Sequence, residues 1–523
     1  MKELKFEELS LNQKLGLVYT ATISGRTAPE NVEFVFDLIK NHSLGAIWIQ
    51  WNNPDAEKLV KRVKETADYP ILIFTDAENG IADYKVGKHN AIGCTGSEEL
   101  AYTFGKVTGV TAKKMGYNVI CDPVLDIKTN GWSRSLGSDK HRLAKLAAAE
   151  ARGIHDAGVL TCVKHYPSGV DLEDMDSHLV EPESVQTKEE LLDYSLYAYL
   201  ELMKEDLIDG IMTGHHRFSS IDPNAPASLS KPVIDIIREQ GFNGFMITDA
   251  LCMMGILAKF GRVECKGLAI AAGNDFALPY DGETKYTYDC ICKCYDDGII
   301  TDDVLDTAVK RVLDAHHKVY LMQEPKYTEL TDDDLEKFSR INKDSVYVKV
   351  DEGITTTLPR DGRHYFVLMI RNETAIGQAG GVAVDTFSNG WLYHEKVTAK
   401  IKELFPNSDV ELIYQFPIQG QMGRVASKMG YDNIVFMTFT EFLAYTGTEH
   451  LTRRIVTLID AMQRTNRIST LIHFGNPKVL EELPHIPRII FGGVSEESID
   501  TCLEVLAGEY EPKGVPTYDV KLK

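Results

Sequence analysis

Short apolar segments alternate with longer amphipathic segments along the first 320 residues. The apolar segments are LGAIWIQ (44–50), ILIFTDA (71–77), NVICDPVLDI (118–127), VLTCVKHYP (159–167), GIMTGHH (210–216), FMITDAL (245–251) and DFALP (275–279). Strands that are apolar along their length and separated by helical segments are typical of a parallel sheet buried on both faces. With GLVYTATISG (16–25) as an eighth strand, the pattern predicts a (β/α)₈ TIM-like barrel.

The pattern restarts near residue 345, after a polar, charged segment. Five further apolar runs begin at 364, 410, 432, 469 and 488, and the amphipathic segments 394–405 and 451–464 lie between them. This alternation predicts a smaller, doubly wound α/β sandwich domain. The predicted organisation is therefore a barrel over 1–322, a linker over 323–344 and the second domain over 345–523. No G-x-G-x-x-G stands at a strand–helix junction, so no dinucleotide cofactor is expected.

Composition narrows the class of protein. The chain has 523 residues and a net charge of −21, which opposes binding to the phosphates of nucleic acids. It contains no apolar stretch long enough to span a membrane. Its first residues have no apolar signal core, and its nine cysteines are an odd, scattered set, so we expect a cytoplasmic protein. The oligomeric state is not predicted.

Chemically active side chains follow several of the apolar runs. Asp76 ends one run, Lys164 and His165 end another, and His215 and Asp249 end two more. Polar residues often do no more than mark strand ends. In a (β/α)₈ barrel, however, these ends form the C-terminal face, where catalytic groups collect.

The segment 164–182 is the densest in ionisable groups. It predicts a mobile loop that carries five of them, namely Asp171, Glu173, Asp174, Asp176 and His178. A carboxylate two residues before a histidine can fix the tautomer of the imidazole and prepare it for proton transfer. By itself a D-x-H motif is usually a solvated loop. Clusters of Asp and His also bind cations, but no metal-ligand spacing stands nearby, so no metal is expected.

Three further carboxylates have both a structural and a chemical interpretation. Asp249 ends an apolar strand and is followed by apolar residues, which suits a covalent nucleophile toward an anomeric carbon but also an N-cap of the next helix. Asp76 and Glu78 can bind sugar hydroxyls, or they belong to the turn at Asn79–Gly80.

Together these segments resemble family 3 glycoside hydrolases, in particular their β-N-acetylglucosaminidase branch. The similar segments occur in the family's order, and they are LSLNQKLG (9–16), TDAENG (75–80), GYNVICDPVLDI (116–127), RSLGSD (134–139), KHYP (164–167), DSH (176–178), IMTGHH (211–216), ITDALCM (247–253) and AIAAGNDFAL (269–278). The resemblance covers nearly the whole first domain and is loose over the second.

The resemblance implies a role for each matching residue. Asp249 falls on the nucleophile, and His178 falls on the acid/base with Asp176 as its partner. The sugar-binding positions are Asp76, Arg134, Lys164, His165 and His215. Two departures concern the pocket: Gly169 stands where the family has a second histidine, and Ile81 and Tyr84 stand where an arginine is usual.

The resemblance therefore implies a retaining hydrolase that releases a β-linked N-acetylhexosamine from a small carbohydrate. A phosphorylase is an alternative, because a neutral imidazole repels phosphate less than a carboxylate does. A β-glucosidase or β-xylosidase of the same family and an inactive sugar-binding protein are two others. The natural aglycone is not predicted.

Two other motifs predict no chemistry. Cys290, Cys292 and Cys294 form C-x-C-x-C, and on a helix only the first and third share a face, which indicates buried thiols rather than a zinc site. His473 ends a strand of the second domain and is interpreted as a satisfied core histidine.

Overall fold

The computed structural model describes residues 2–128, 133–170, 175–322, 324–370, 394–440, 445 and 449–523. The chain divides into two compact units. The first comprises Met1–Lys85, Ala101–Ile127 and Asp139–Phe338, and the second comprises Val86–Leu100, Lys128–Ser138 and Ser339–Lys523. The domain limits predicted from the sequence stay predictions. Within the predicted linker, the structure has a helix over Asp332–Asp344.

The first unit is built around a parallel sheet. In spatial order its strands are Thr20–Thr22, Ala46–Trp48, Leu72–Thr75, Val119–Ile120, Leu160–Tyr166, Gly210–Thr213 and Phe245–Thr248. Their side chains are buried almost throughout, as expected for strands covered on both faces. Spatial order follows chain order, as in a barrel.

The run 275–279 closes this sheet into a barrel through isolated bridges rather than a regular strand. Phe276 pairs with Ile247 of the last strand, and Ala277 pairs with Tyr19 next to the first. Inside the barrel, the rings of Phe74, Phe245 and Phe276 meet edge to face, with centroids 5.8–6.3 Å apart. The predicted fold, a TIM-like barrel with a smaller α/β domain, is confirmed.

Helices connect the barrel strands. Their bounds are Leu11–Leu17, Pro29–Lys40, Ala56–Thr66, Glu98–Met115, Lys140–Asp156, Lys188–Glu190, Tyr197–Lys204, Lys231–Glu239, Met254–Phe260, Glu264–Ala272, Thr284–Asp296 and Asp302–Leu321. Local sequence explains where some of them begin. Ser10 and Gln13 form a capping box, and the Asp139 carboxylate accepts hydrogen bonds from the N–H groups of His141 and Arg142.

The second unit contains a six-stranded sheet in the described residues. Its spatial order is Tyr347–Val350, Arg488–Gly492, Ile468–Phe474, Asn433–Phe439, His364–Ile370 and Asp409–Tyr414. Only the first of these strands is antiparallel to its neighbour. The five parallel strands have the order 2-1-3-4-5, which is that of a doubly wound domain. Its helices are Asn90–Thr95, His394–Leu404, Gln419–Ser427, Arg453–Gln463 and Glu496–Ala507.

The predicted burial is confirmed for His473 and for two of the three cysteines of the C-x-C-x-C motif. His473 is fully buried, and its two ring nitrogens lie 2.9 Å from Thr438 Oγ1 and 2.9 Å from the Asn476 carbonyl oxygen. On the helix Thr284–Asp296, Cys290 and Cys294 are buried and Cys292 is half-buried. Among the described residues, we find no helix with the length and apolar character needed to cross a bilayer.

Candidate active site

The residues singled out at strand ends meet at one end of the barrel. Lys164 and His165 lie in Leu160–Tyr166, and His215 and Asp249 follow the next two strands. The backbone N–H of Asp249 donates to the Thr213 carbonyl, 2.8 Å away, which fixes the register of these two strand ends. All of these groups stand at the carboxyl ends of parallel strands, where barrel enzymes place their catalytic groups.

The Asp249 carboxylate is held between backbone and imidazole groups. Its Oδ1 accepts a hydrogen bond from the Ala250 N–H at 2.7 Å, and its Oδ2 lies 3.9 Å from His165 Nε2. Burial raises the pKa of this carboxyl. The electrostatic influence of His165, His215 and His178 and the hydrogen bond from the Ala250 N–H lower it by more than burial raises it, so that the pKa lies well below its ordinary value. Asp249 is thus ionised near neutral pH.

His165 is oriented by a second carboxylate. Its Nδ1 lies 2.7 Å from Oδ2 of Asp126, which is almost fully buried. This contact directs Nε2 toward Asp249. The peptide bond between Lys164 and His165 is cis.

Lys164 forms the buried centre of an ionic cluster. Its Nζ lies 2.5 Å from Asp76 Oδ1 and 3.4 Å from Glu78 Oε2. The side chain of Lys164 is 3% exposed, whereas that of Asp76 is 35% exposed. The Asp76 carboxylate is therefore accessible to solvent, while the buried ammonium group of Lys164 balances its charge.

Asp176 and His178 form the hydrogen-bonded pair that the sequence predicts. Asp176 Oδ1 lies 2.7 Å from His178 Nδ1 and also accepts the His178 backbone N–H at 2.9 Å. The loop is tied to the chain that follows Asp249, because the Met254 N–H donates to the His178 carbonyl oxygen at 3.0 Å. Asp171, Glu173 and Asp174, predicted in the same loop, lie outside the described residues.

His215 is buried, and both of its ring nitrogens contact protein groups. Nδ1 lies 2.8 Å from Ser228 Oγ, and Nε2 lies 3.1 Å from the Ala250 carbonyl oxygen. Burial lowers the pKa of His215, although Asp249 and the Ala250 carbonyl raise it. The neutral ring thus donates from Nε2 to Ala250, next to the candidate nucleophile.

Arg134 belongs to the second unit, where its carbonyl oxygen lies 3.1 Å from His89 Nδ1. The sugar-binding role predicted for its guanidinium stays a prediction.

Residue patterns did not identify three side chains near the site, two of which contact predicted residues. Asp126 and Ser228 orient His165 and His215, and Glu181 pairs with Arg217 beside the loop. Asp126 ends the apolar run 118–127, so the strand-end rule that selected Asp76 and Asp249 also applies to it. For Ser228 and Glu181, the sequence carries no comparable signal.

A barrel with an ionised carboxylate, an Asp–His pair and further polar groups at the carboxyl ends of its strands has the architecture of a glycosidase. Residues 11–315 match the family model described as the glycosyl hydrolase family 3 N-terminal domain. The chain belongs to glycosyl hydrolase family 3.

Curated relatives agree with this membership, and a solved structure agrees with the fold. The chain is 30% identical over 243 residues to a beta-hexosaminidase of Haemophilus influenzae, covering 43% of this chain and 68% of the relative. It is 25% identical over 329 residues to a beta-N-acetylglucosaminidase/beta-glucosidase of Cellulomonas fimi, covering 58% of this chain and 57% of the relative. A family 3 beta-N-acetylglucosaminidase structure from Paenibacillus sp. str. FPU-7 has a TM-score of 0.81 at 24% identity, covering 98% of this chain and all of that one, and so shares the fold.

Proposed function

We propose that the protein is a retaining β-N-acetylhexosaminidase with Asp249 as nucleophile and His178 as acid/base. One observation carries the proposal. The Asp176–His178 pair, bonded at 2.7 Å, sits on a loop whose main chain is hydrogen-bonded to the turn that follows Asp249. The relative from Haemophilus influenzae, named a beta-hexosaminidase, supports the choice of substrate class.

In the first step, an Asp249 carboxylate oxygen attacks the anomeric carbon of the sugar. The low pKa of this carboxyl keeps it ionised, and the Ala250 N–H holds Oδ1 in place. The glycosidic C–O bond breaks as a glycosyl ester forms on Asp249.

His178 supplies the proton for the departing oxygen. Because Nδ1 of the imidazole faces Asp176, its Nδ1–H stays with that carboxylate and Nε2 exchanges the proton with the substrate. The negative charge of Asp176 also stabilises the imidazolium that must exist before proton transfer. After the aglycone leaves, neutral His178 takes a proton from water, which attacks the ester and restores the original anomeric configuration.

The remaining site residues bind and orient the sugar. Asp76 accepts hydrogen bonds from hydroxyl groups, and Lys164 and His165 donate to sugar oxygens. His215 contacts Ser228 and Ala250 through its two nitrogens. We therefore assign it to holding the backbone beside Asp249 instead of contacting the sugar.

A panel of aryl glycosides tests the proposal. Purified protein is incubated with the p-nitrophenyl β-glycosides of N-acetylglucosamine, glucose and xylose, each with and without inorganic phosphate, and the anomer first formed is identified by NMR. We expect release from the N-acetylglucosaminide with a β-configured free sugar as product. Preference for glucose or xylose, or a sugar phosphate as the product when phosphate is present, would contradict the substrate or the acceptor assigned here. Sugar binding without turnover would contradict an enzymatic role.

A further inference from the structure

An ionic cluster lies three residues beyond His178. Glu181 Oε2 is 3.0 Å from Arg217 Nε and 3.6 Å from Lys259 Nζ. The side chains of Glu181 and Arg217 are only 14% and 21% exposed. Such pairs are screened by water less than surface pairs, and removing one partner leaves an uncompensated charge.

The three members of this cluster come from three segments of the site. Glu181 belongs to the segment that carries Asp176 and His178. Arg217 follows His215 at the end of a barrel strand, and Lys259 lies on the helix Met254–Phe260 that follows Asp249. The Glu181 carboxylate thus joins the loop that carries His178 to one residue that precedes Asp249 in sequence and to one that follows it.

The backbone packs closely at the same place. A Cβ added at Gly255 would lie 2.5 Å from the Val180 carbonyl oxygen, so only glycine permits this approach. The Arg217 N–H also donates to the Pro182 carbonyl at 2.8 Å. Together with the bond between Met254 and His178, these contacts leave the main chain on both sides of Glu181 docked on the site.

We propose that Glu181 is a positioning residue for the acid/base, which holds the segment 178–181 against the helix after Asp249 through Arg217 and Lys259. The inference rests on the proposed function, because it assigns proton donation to His178. Proton transfer in the transition state requires the donor within hydrogen-bond reach of the leaving oxygen, so a small displacement of the loop lowers the rate of that step. Asp249 is held by its own strand and Ala250, and its attack depends less on the loop.

The substitution Glu181→Gln tests this assignment with two substrates that differ in their need for an acid. The variant keeps the size of the side chain but removes the charge that Arg217 and Lys259 share. The leaving group of the phenyl N-acetyl-β-glucosaminide needs a proton, so on this substrate we expect kcat/KM to fall about tenfold or more. A positioned acid contributes about 10²–10⁴-fold in total, which is the upper limit of the loss. On the dinitrophenyl glycoside, whose leaving group departs as an anion, we expect a change of less than about twofold by the same reasoning.

The matched control is Glu183→Gln. Glu183 pairs with the same Arg217 guanidinium at 2.7 Å. Within the described residues, the ion pair of Lys259 is with Glu181 and not with Glu183. It should leave the ratio of the two substrates unchanged. Lys259→Met, which removes the opposite partner, should shift the ratio in the same direction as Glu181→Gln and serves as the test if that variant does not fold.

Equal losses on both substrates, or the same shift in Glu183→Gln, would overturn the positioning role. Failure of the proposed function has a different signature: Asp249→Asn would then retain activity on both glycosides.

Discussion

The N–H of Met254 donates a hydrogen bond to the carbonyl oxygen of His178, with 3.0 Å between nitrogen and oxygen. Met254 is the first residue of the helix that follows Asp249, and the imidazole of His178 is hydrogen-bonded to Asp176. The bond thus connects the acid/base candidate to the nucleophile candidate through backbone atoms alone. It also explains how a loop residue approaches a group fixed at a strand end.

Replacing the nucleophile should abolish turnover. For Asp249→Ala we expect kcat to fall about 10⁴-fold or more, as loss of a covalent nucleophile does in other enzymes. Added azide should restore part of the activity and give an α-glycosyl azide, because a small anion then attacks the face that the carboxylate occupied. A variant with wild-type rates would refute the assignment of Asp249.

The acid/base pair should show a graded response. His178→Ala removes proton transfer and should lower kcat on the phenyl glycoside by about 10²–10⁴-fold. Asp176→Asn keeps the ring but removes the charge that stabilises the imidazolium, so its loss should be smaller and the pH–rate profile should move to lower pH. The measurement is kcat/KM between pH 4 and 9. If the alkaline limb, where His178 loses its proton, stayed in Asp176→Asn where it is in the wild type, the two residues would not act as a pair.

The barrel could be predicted because each strand is apolar along its length. The runs 44–50, 71–77 and 245–251 contain the observed strands Ala46–Trp48, Leu72–Thr75 and Phe245–Thr248. The last run, 275–279, is less regular because Asp275 is buried there and paired with Arg238 and Arg311 at 2.8 Å and 3.3 Å. Its pairing partners lie far away in sequence, and no local pattern contains that information.

The same reason limits what the sequence reveals of the site. Asp176 and His178 are two residues apart, so their hydrogen bond follows from local geometry. His165 and Asp126, by contrast, are separated by 39 residues and meet only because neighbouring strands bring them together. Ring nitrogens such as those of His215 also find protein partners that no motif specifies, here the Ser228 hydroxyl and the Ala250 carbonyl oxygen.

The stability of the second unit should depend on pH through His473. Burial lowers the pKa of this imidazole to about 4, although its bond to the Asn476 carbonyl raises it slightly. In the unfolded chain the pKa is about 6.5, so between these values the unfolded state binds more protons and is favoured as the pH falls. Between pH 7 and pH 5 this group should lower the free energy of unfolding by about 2 kcal/mol.

Urea unfolding of wild type and His473→Gln at both pH values measures that contribution. The difference in unfolding free energy between pH 7 and pH 5 should shrink in the variant. His485→Gln is the control, because that ring is 59% exposed and pairs with Asp351 at the surface. An unchanged pH dependence in His473→Gln would show that the buried ring is not the titrating group.

Removing the buried amine beneath Asp76 should affect both binding and folding. Lys164→Met preserves the length of the side chain but leaves the carboxylates of Asp76 and Glu78 without the cation that lies 2.5 Å and 3.4 Å from them. Breaking a buried ion pair in this way costs about 3–5 kcal/mol.

Lys188→Met is a suitable control, since the ion pair of Lys188 with Glu239 is exposed and such pairs contribute about 0–1 kcal/mol. Thermal unfolding with and without N-acetylglucosamine should show a lower midpoint for Lys164→Met and a smaller shift on adding the sugar. If the midpoint fell but the sugar-induced shift stayed at its wild-type size, Lys164 would support the fold without contributing to sugar binding.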